Sequence, residues 1–329
     1  MKRIAFALFA VAVSACASTT PPEQAAAPST FQMANPLPAN VTLSEANWYS
    51  EQVRVSGRLF QPAGPTNGAA RPAVVLAPGW GETAATLDAY AGELAAQGMV
   101  ALIVDYRGWG RSGAHLYLGE PLAMYDKMRF SEQTPKIVFR RGRLDPDHQV
   151  QDLRNAITFL QSLPGVDRSK IGILGADIGG GHVVSVMSMD TRAKVGVAVT
   201  PLIYGQGEDE KSFIPDAATQ AELIKLAREG APPKTEAAAR ARNKQEERLA
   251  LREYKPFWRL DAVPQTAAVR FIVAETDDEI DNMVHARAAA RELKGSSDVK
   301  SLPGALHQLT SAQTAEAAKL AAEWFRQRL

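Results

Sequence analysis

The stretch Ile171-Gly-Ile-Leu-Gly-Ala-Asp177-Ile-Gly-Gly-Gly-His182 limits what this chain can fold into more than any other. An apolar run from Ile171 to Leu174 breaks at Gly175 and resumes beyond Gly181 as Val183-Val184-Ser185-Val186-Met187. A run that short, bounded by glycine, predicts a buried strand turning sharply into a helix. The glycines predict backbone packed too closely for side chains. A phosphate loop is a poor reading, because a G-x-G-x-x-G begun at Gly175 needs glycine where Asp177 stands.

Other segments build a sheet around this turn. Val53 to Phe60 alternates apolar and polar residues, as a half-buried strand does. Ala73 to Ala77, Met99 to Val104, Val195 to Pro201 and Val269 to Ala274 are largely apolar, which predicts central parallel strands covered on both faces. A short last strand is expected at Val299 to Leu302. Helices are expected at Leu87 to Ala95, ending at Gly98, at His148 to Leu163, and at Ala315 to Leu329. Asp152 is expected near the start of the second, where the helix dipole favours a carboxylate.

Two segments are not ordinary connections. Residues 114–147 carry Tyr117, Tyr125, Phe130, Phe139 and a basic cluster of Arg140, Arg141 and Arg143. A loop of that length is either a rim insertion or a wall of a binding site. Residues 202–258 hold two predicted helices, Ala217 to Glu229 and Thr235 to Tyr254, the second dense in Arg and Glu with pairs such as Glu236 and Arg240. Position and composition predict a helical cap, whether it merely shields the site or also selects substrate.

Several motifs together resemble the α/β-hydrolase superfamily. The turn at Asp177 matches G-x-S-x-G, with aspartate in the serine's place. Asp105-Tyr-Arg-Gly-Trp-Gly-Arg-Ser112 resembles the structural D-x-R-G-x-G-x-S segment, and the passage from Asp152 to Gly181 is similar to that of dienelactone-hydrolase-like and peptidase-like esterases. Glu275-Thr-Asp-Asp-Glu279 follows a strand where the family keeps its triad acid, and Pro303-Gly-Ala-Leu-His307 matches the loop carrying its base. The resemblance covers residues 50 to 329 and implies a mostly parallel sheet with helices on both faces and a cap. It also implies a triad of Asp177, Asp277 (with Asp278 as the alternative acid) and His307. The oxyanion donors would be the amides of Trp80 or Gly81, in the Pro78-Gly-Trp-Gly-Glu82 loop, and of Ile178.

An aspartate in the nucleophile position changes the chemistry. A serine needs a base to remove its proton, whereas a carboxylate at a helix N-terminus is already charged and is favoured there. Attack on an ester carbonyl would give an anhydride that collapses backwards. Attack on a saturated carbon gives an aspartyl ester, which His307, oriented by Asp277, could hydrolyse by activating water. Epoxide hydrolases and haloalkane dehalogenases in the superfamily use this arrangement. They commonly carry Trp after the nucleophile, where this chain has Ile178, and Trp80 is the candidate replacement. Three readings follow: an aspartyl-ester hydrolase acting on a small organic substrate, a hydrolase in which Asp177 is a base on water, and a non-catalytic binding lipoprotein.

The N-terminus predicts export. Met1-Lys2-Arg3 is basic, Ile4 to Val13 is apolar but too short to span a bilayer, and Val13-Ser-Ala-Cys16 resembles a bacterial lipobox. The expected organisation is therefore a signal peptide at 1–15, a lipidated tether from Cys16 to residue 45, and one hydrolase domain at 46–329. By the sorting rule for such lipoproteins, Ala17 implies an outer-membrane anchor facing the periplasm. Cys16 is the only cysteine, so no disulfide is expected within the chain. A net charge of +1 gives no argument for nucleic acid, no obligate protein partner is inferred, and neither metal-ligand spacing nor a nucleotide fingerprint is evident, so no cofactor is expected.

Overall fold

The computed structural model describes residues 36–64, 68–118, 136–203, 217–228 and 235–329. The signal, Cys16 and most of the expected tether lie outside the described residues, as do Tyr125 and Phe130. The strands are β1 (Val41–Ser50), β2 (Val53–Pro62), β3 (Arg71–Ala77), β4 (Val100–Asp105), β5 (His115–Leu118), β6 (Ile137–Arg140), β7 (Val166–Ala176), β8 (Ala193–Val199), β9 (Ala268–Ala274) and β10 (Ser296–Leu302). The α-helices are α1 (Asp88–Ala96), α2 (Pro146–Ser162), α3 (Ile178–Met189), α4 (Ala217–Arg228), α5 (Glu236–Glu253), α6 (Asn282–Glu292) and α7 (Ser311–Arg328). Among the described residues, no helix is long and apolar enough to cross a membrane.

Eight strands form one sheet in the order β1-β2-β4-β3-β7-β8-β9-β10. β1, β2 and β4 pair antiparallel, and every pairing from β4 through β3 to β10 is parallel. The apolar runs are explained by two cores, one on each face. In β3, Ala73, Val75 and Ala77 pack in the core that holds α2, α3 and α6, while Val74 and Leu76 pack in the core that holds α1 and α7. A strand buried on both faces has no polar side to alternate with.

The tether expected to run to residue 45 gives way at Val41, where β1 pairs along its whole length with β2. The hairpin β5–β6 sits at the base of the 114–147 insertion. Asp152 lies in the interior of α2, fully buried, and not at its dipole end. Asp145 is the N-cap, followed by Pro146 in the first turn. The cap helices fall close to their expected limits, and the Glu236–Arg240 pair forms at 2.6 Å.

Arg107 and Asp152 join the β4 loop to α2. The Arg107 Nε and Nη2 donate to Asp152 Oδ1 at 2.9 and 2.6 Å, and the Arg107 amide donates to Oδ2 at 2.9 Å. Its remaining donors reach Glu51 Oε2 and Ser50 Oγ, each at 2.9 Å. Ser112 accepts from the Ser56 amide and donates to the Asp105 carbonyl. Both Arg107 and Ser112 therefore brace the loop, the structural role the resemblance implies.

Candidate active site

The carboxyl ends of β3, β7, β9 and β10 deliver the candidate residues to one edge of the sheet. β7 ends at Ala176, and Asp177 takes φ 51° and ψ −121° before α3 begins. That is a strained conformation for a side-chain-bearing residue, and it lifts the carboxylate clear of strand and helix. Only glycine permits so tight a corner: a Cβ on Gly175 would sit 2.0 Å from the Gly179 carbonyl oxygen, and one on Gly179 would sit 2.1 Å from that of Ala77.

The loop after β3 folds back onto this corner. Trp80 N–H donates to Asp177 Oδ2 at 2.8 Å, so one carboxylate oxygen already occupies the position expected for an oxyanion. Of the three expected donors, Trp80 is the one engaged. Gly81 forms the left-handed corner of the turn at φ +74°, and Ile178 opens α3 with its side chain buried. Glu82 pins the loop, its Oε2 accepting from the Gly79 amide at 2.9 Å and from Thr86 Oγ1 at 3.0 Å. Nothing in the sequence reading pointed to Glu82, because its partners are backbone and a hydroxyl brought together only by the turn.

His307 stands on the other side of Asp177. Its Nε2 is 3.7 Å from Asp177 Oδ1, and its Nδ1 is 2.9 Å from Asp277 Oδ2. Asp277 is in turn fixed by the amides of Glu279 and Ile280, both at 3.0 Å to Oδ1. Asp278, the alternative acid, instead accepts from the His307 backbone N–H at 3.1 Å and holds the loop. Asp177, Asp277 and His307 thus come together, with Asp277 in the position of the orienting acid.

The imidazole lies between two carboxylates. Burial by itself would lower its pKa, but contact with Asp177 and Asp277 and their charges outweigh it and raise the pKa from 6.5 to about 9. A shift of that size is worth roughly 3 kcal/mol. Because the folded value is the higher one, the stabilisation is complete below pH 6.5 and is lost as pH rises through about 9. In Asp177→Asn one of the two charges is gone, so NMR titration should find the His307 pKa well below that of the wild type, with a smaller loss of stability across the same window. An unchanged titration would mean that Asp177 does not hold the proton.

His182, also within the elbow stretch, has a different role. It is fully buried, with Nδ1 2.7 Å from the Tyr254 hydroxyl and Nε2 3.0 Å from Gln149 Oε1. Burial lowers its pKa to about 3, so it is a neutral link between α2, α3 and the end of the cap.

A cavity of about 150 Å³ opens over the triad, lined by Glu82, Thr86, Tyr90, Asp177, Thr200 and His307 among others. A cavity of about that volume has room for a ligand roughly the size of benzene, and here the walls are largely polar. The Asp177 side chain is 28% exposed, so a small molecule can reach it. A larger cavity of about 640 Å³, between α2, α3 and α5, contains none of the three triad residues. The cap meets the site through Trp80, whose indole N–H donates to Glu247 Oε1 of α5 at 2.5 Å. That bond occupies the indole N–H of Trp80, the candidate replacement for the family's tryptophan.

Fold and site define a class, and the comparisons agree with it. Residues 74–322 match the model of the alpha/beta hydrolase family, and the chain belongs to that family. Thiohydrolase AneE of Aspergillus aculeatus is 28% identical over 181 residues, 54% of this chain and 47% of that protein. The quorum-quenching protein AidA of Acinetobacter baumannii is 30% identical over 157 residues, 47% of this chain and 43% of that one. The matched stretch thus spans less than half the length of either curated relative. Among solved structures, the alpha/beta hydrolase GrgF from a Penicillium species aligns with a TM-score of 0.60 at 17% identity, over 87% of this chain and 99% of that one. A dienelactone hydrolase from Anabaena variabilis aligns at 0.54 and 16% identity, over 88% and 99%. At these identities the solved structures bear on the fold alone.

Proposed function

We propose that the chain is a hydrolase that opens a small epoxide, or a related electrophile at saturated carbon, through an ester on Asp177. The observation that carries this reading is the division of labour between the two oxygens of one carboxylate. Oδ2 is held by the Trp80 amide, and Oδ1 is the oxygen on the side of His307, 3.7 Å from its Nε2, in a residue that lines the cavity. In the first step Oδ1 attacks carbon, the ring C–O bond breaks, and the departing alkoxide takes the proton from the His307 imidazolium. Forming the ester removes the Asp177 charge, so His307 is left neutral in surroundings that no longer favour its charged form. It then takes a proton from water, and the resulting hydroxide adds to the ester carbon. The tetrahedral oxyanion develops on Oδ2, where the Trp80 amide already points, and collapse returns the Asp177 carboxylate and a diol.

An epoxide closes this proton inventory without an outside base; an alkyl halide does not, because halide carries no proton away. Two carboxylates, Asp177 and Glu82, line the cavity, which disfavours an anionic substrate. The deciding experiment is a single turnover in oxygen-18 water on a panel of small epoxides. The ester route puts the label into the Asp177 peptide and leaves the first diol formed unlabelled. Label in the diol and none in Asp177 would instead favour Asp177 as a base on water.

We also propose that the chain is exported and anchored by acyl chains on Cys16, on the strength of its basic start, short apolar run and lipobox-like junction. Cys16→Ser should abolish labelling by radioactive palmitate and release the protein from the membrane fraction. Retention of both would refute the anchor.

A further inference from the structure

Spacing along the chain gave no metal-binding pattern, yet the fold gathers three metal-type donors away from the triad. His115 opens β5, Asp145 caps α2, and His148 lies in the first turn of that helix. One ligating atom from each lies within 4.8 Å of the other two. The two imidazole rings meet edge-on with centroids 4.6 Å apart. His115 Nε2 and His148 Nδ1 are both shielded from solvent, and His115 Nε2 lacks a hydrogen-bond partner. His148 Nδ1 is 2.9 Å from Asp145 Oδ2. Beside that carboxylate and the second imidazole, the shielded His115 Nε2 is left without a hydrogen bond, which is costly. A cation placed among them accepts all three lone pairs at once.

We propose that His115, Asp145 and His148 bind a divalent transition ion of the zinc class. Two imidazoles and one carboxylate are borderline donors, suited to zinc, cobalt, nickel or copper and poorly suited to calcium or magnesium. A tetrahedral ion with bonds of about 2.0–2.1 Å holds its donors roughly 3.3 Å apart. Binding therefore draws His115 inward by about an ångström, while His148 Nδ1 and Asp145 Oδ2, already 2.9 Å apart, separate slightly, leaving a fourth position for water. The outer contacts fit this assignment. With Nδ1 on the metal, His148 Nε2 carries the hydrogen, and the Glu51 carboxylate, 3.9 Å away, is the nearby negative charge on that side. The Arg143 guanidinium, 3.0 Å from Asp145 Oδ2, competes with the ion and tempers its affinity.

The site has a structural consequence. It ties the β5–β6 hairpin to the start of α2, and from that hairpin Arg140 reaches Asn243 and Glu246 of the cap helix α5. An ion would therefore stiffen the connection between the sheet and the cap, independently of the chemistry at Asp177.

The test uses the full chain, dialysed against a chelator and titrated with Co²⁺ by visible absorption and with Zn²⁺ by calorimetry. One equivalent is expected to bind, with ligand-field bands of low coordination number and a thermal midpoint raised by several degrees. His115→Ala and His148→Ala should each lose the saturable binding and the thermal shift, while His285→Ala keeps both. His148→Gln, which preserves side-chain volume and polarity, replaces the alanine variant if that fails to fold. Absence of saturable binding, or binding of equal affinity in the His115 and His148 variants, would overturn the assignment.

Discussion

Incubated with a substrate epoxide, His307→Ala is expected to stop halfway, with the Asp177 ester accumulating as a stable adduct. Asp177 Oδ1 remains available for attack, and Trp80 still holds Oδ2. What is lost is the base that activates water, a contribution of about 10²–10⁴ in rate. Intact-protein mass spectrometry should show a mass increase of one substrate per chain, and peptide mapping should place it on Asp177. The imidazolium also protonates the leaving alkoxide in our scheme, so adduct formation should itself be slower in the variant and partly restored at lower pH, where solvent can supply the proton. No adduct across a broad panel of epoxides and haloalkanes, with wild type turning some of them over, would exclude the ester route.

The second large effect concerns stability. Asp152→Ala should destabilise the fold by about 3–5 kcal/mol, because it strands the Arg107 guanidinium in an interior from which water is excluded. Asp152 is completely buried and receives three hydrogen bonds from Arg107, which itself is only 4% exposed. Arg107 keeps Glu51 and Ser50, but Glu51 is half exposed and its charge is screened. The loss should appear as a lower denaturant midpoint with little change in slope. A change below about 1 kcal/mol would show that the Arg107 network is not what fastens the β4 loop to α2. The triad lies elsewhere, at the ends of β7, β9 and β10, so activity of the folded fraction should be little altered.

The glycine-flanked turn at Asp177 and the apolar runs of β3, β4, β8 and β9 were legible in the sequence for a simple reason. A strand covered on both faces must be apolar at every position, and a corner whose Cβ would meet backbone at 2.0 Å must be glycine. Asp177, Asp277 and His307, which the fold brings together, were singled out by motifs, each lying where a parallel strand ends. β1 was not, because Val41–Ser50 mixes alanine, serine and asparagine, and its strand state comes from pairing with β2. Asp152 was misplaced because its partner, Arg107, lies 45 positions away in sequence.

The order of elements and the residues available for chemistry were thus determined by local pattern, which depends only on neighbours along the chain. The choice of Asp277 over Asp278 against the His307 ring, the lodging of one Asp177 oxygen on the Trp80 amide, the capture of the Trp80 indole by Glu247 and the meeting of His115 with Asp145 and His148 were decided by tertiary structure alone. All four depend on distances of a few ångströms between groups far apart in sequence. Only the closing of the sheet and the packing of its helices sets such distances.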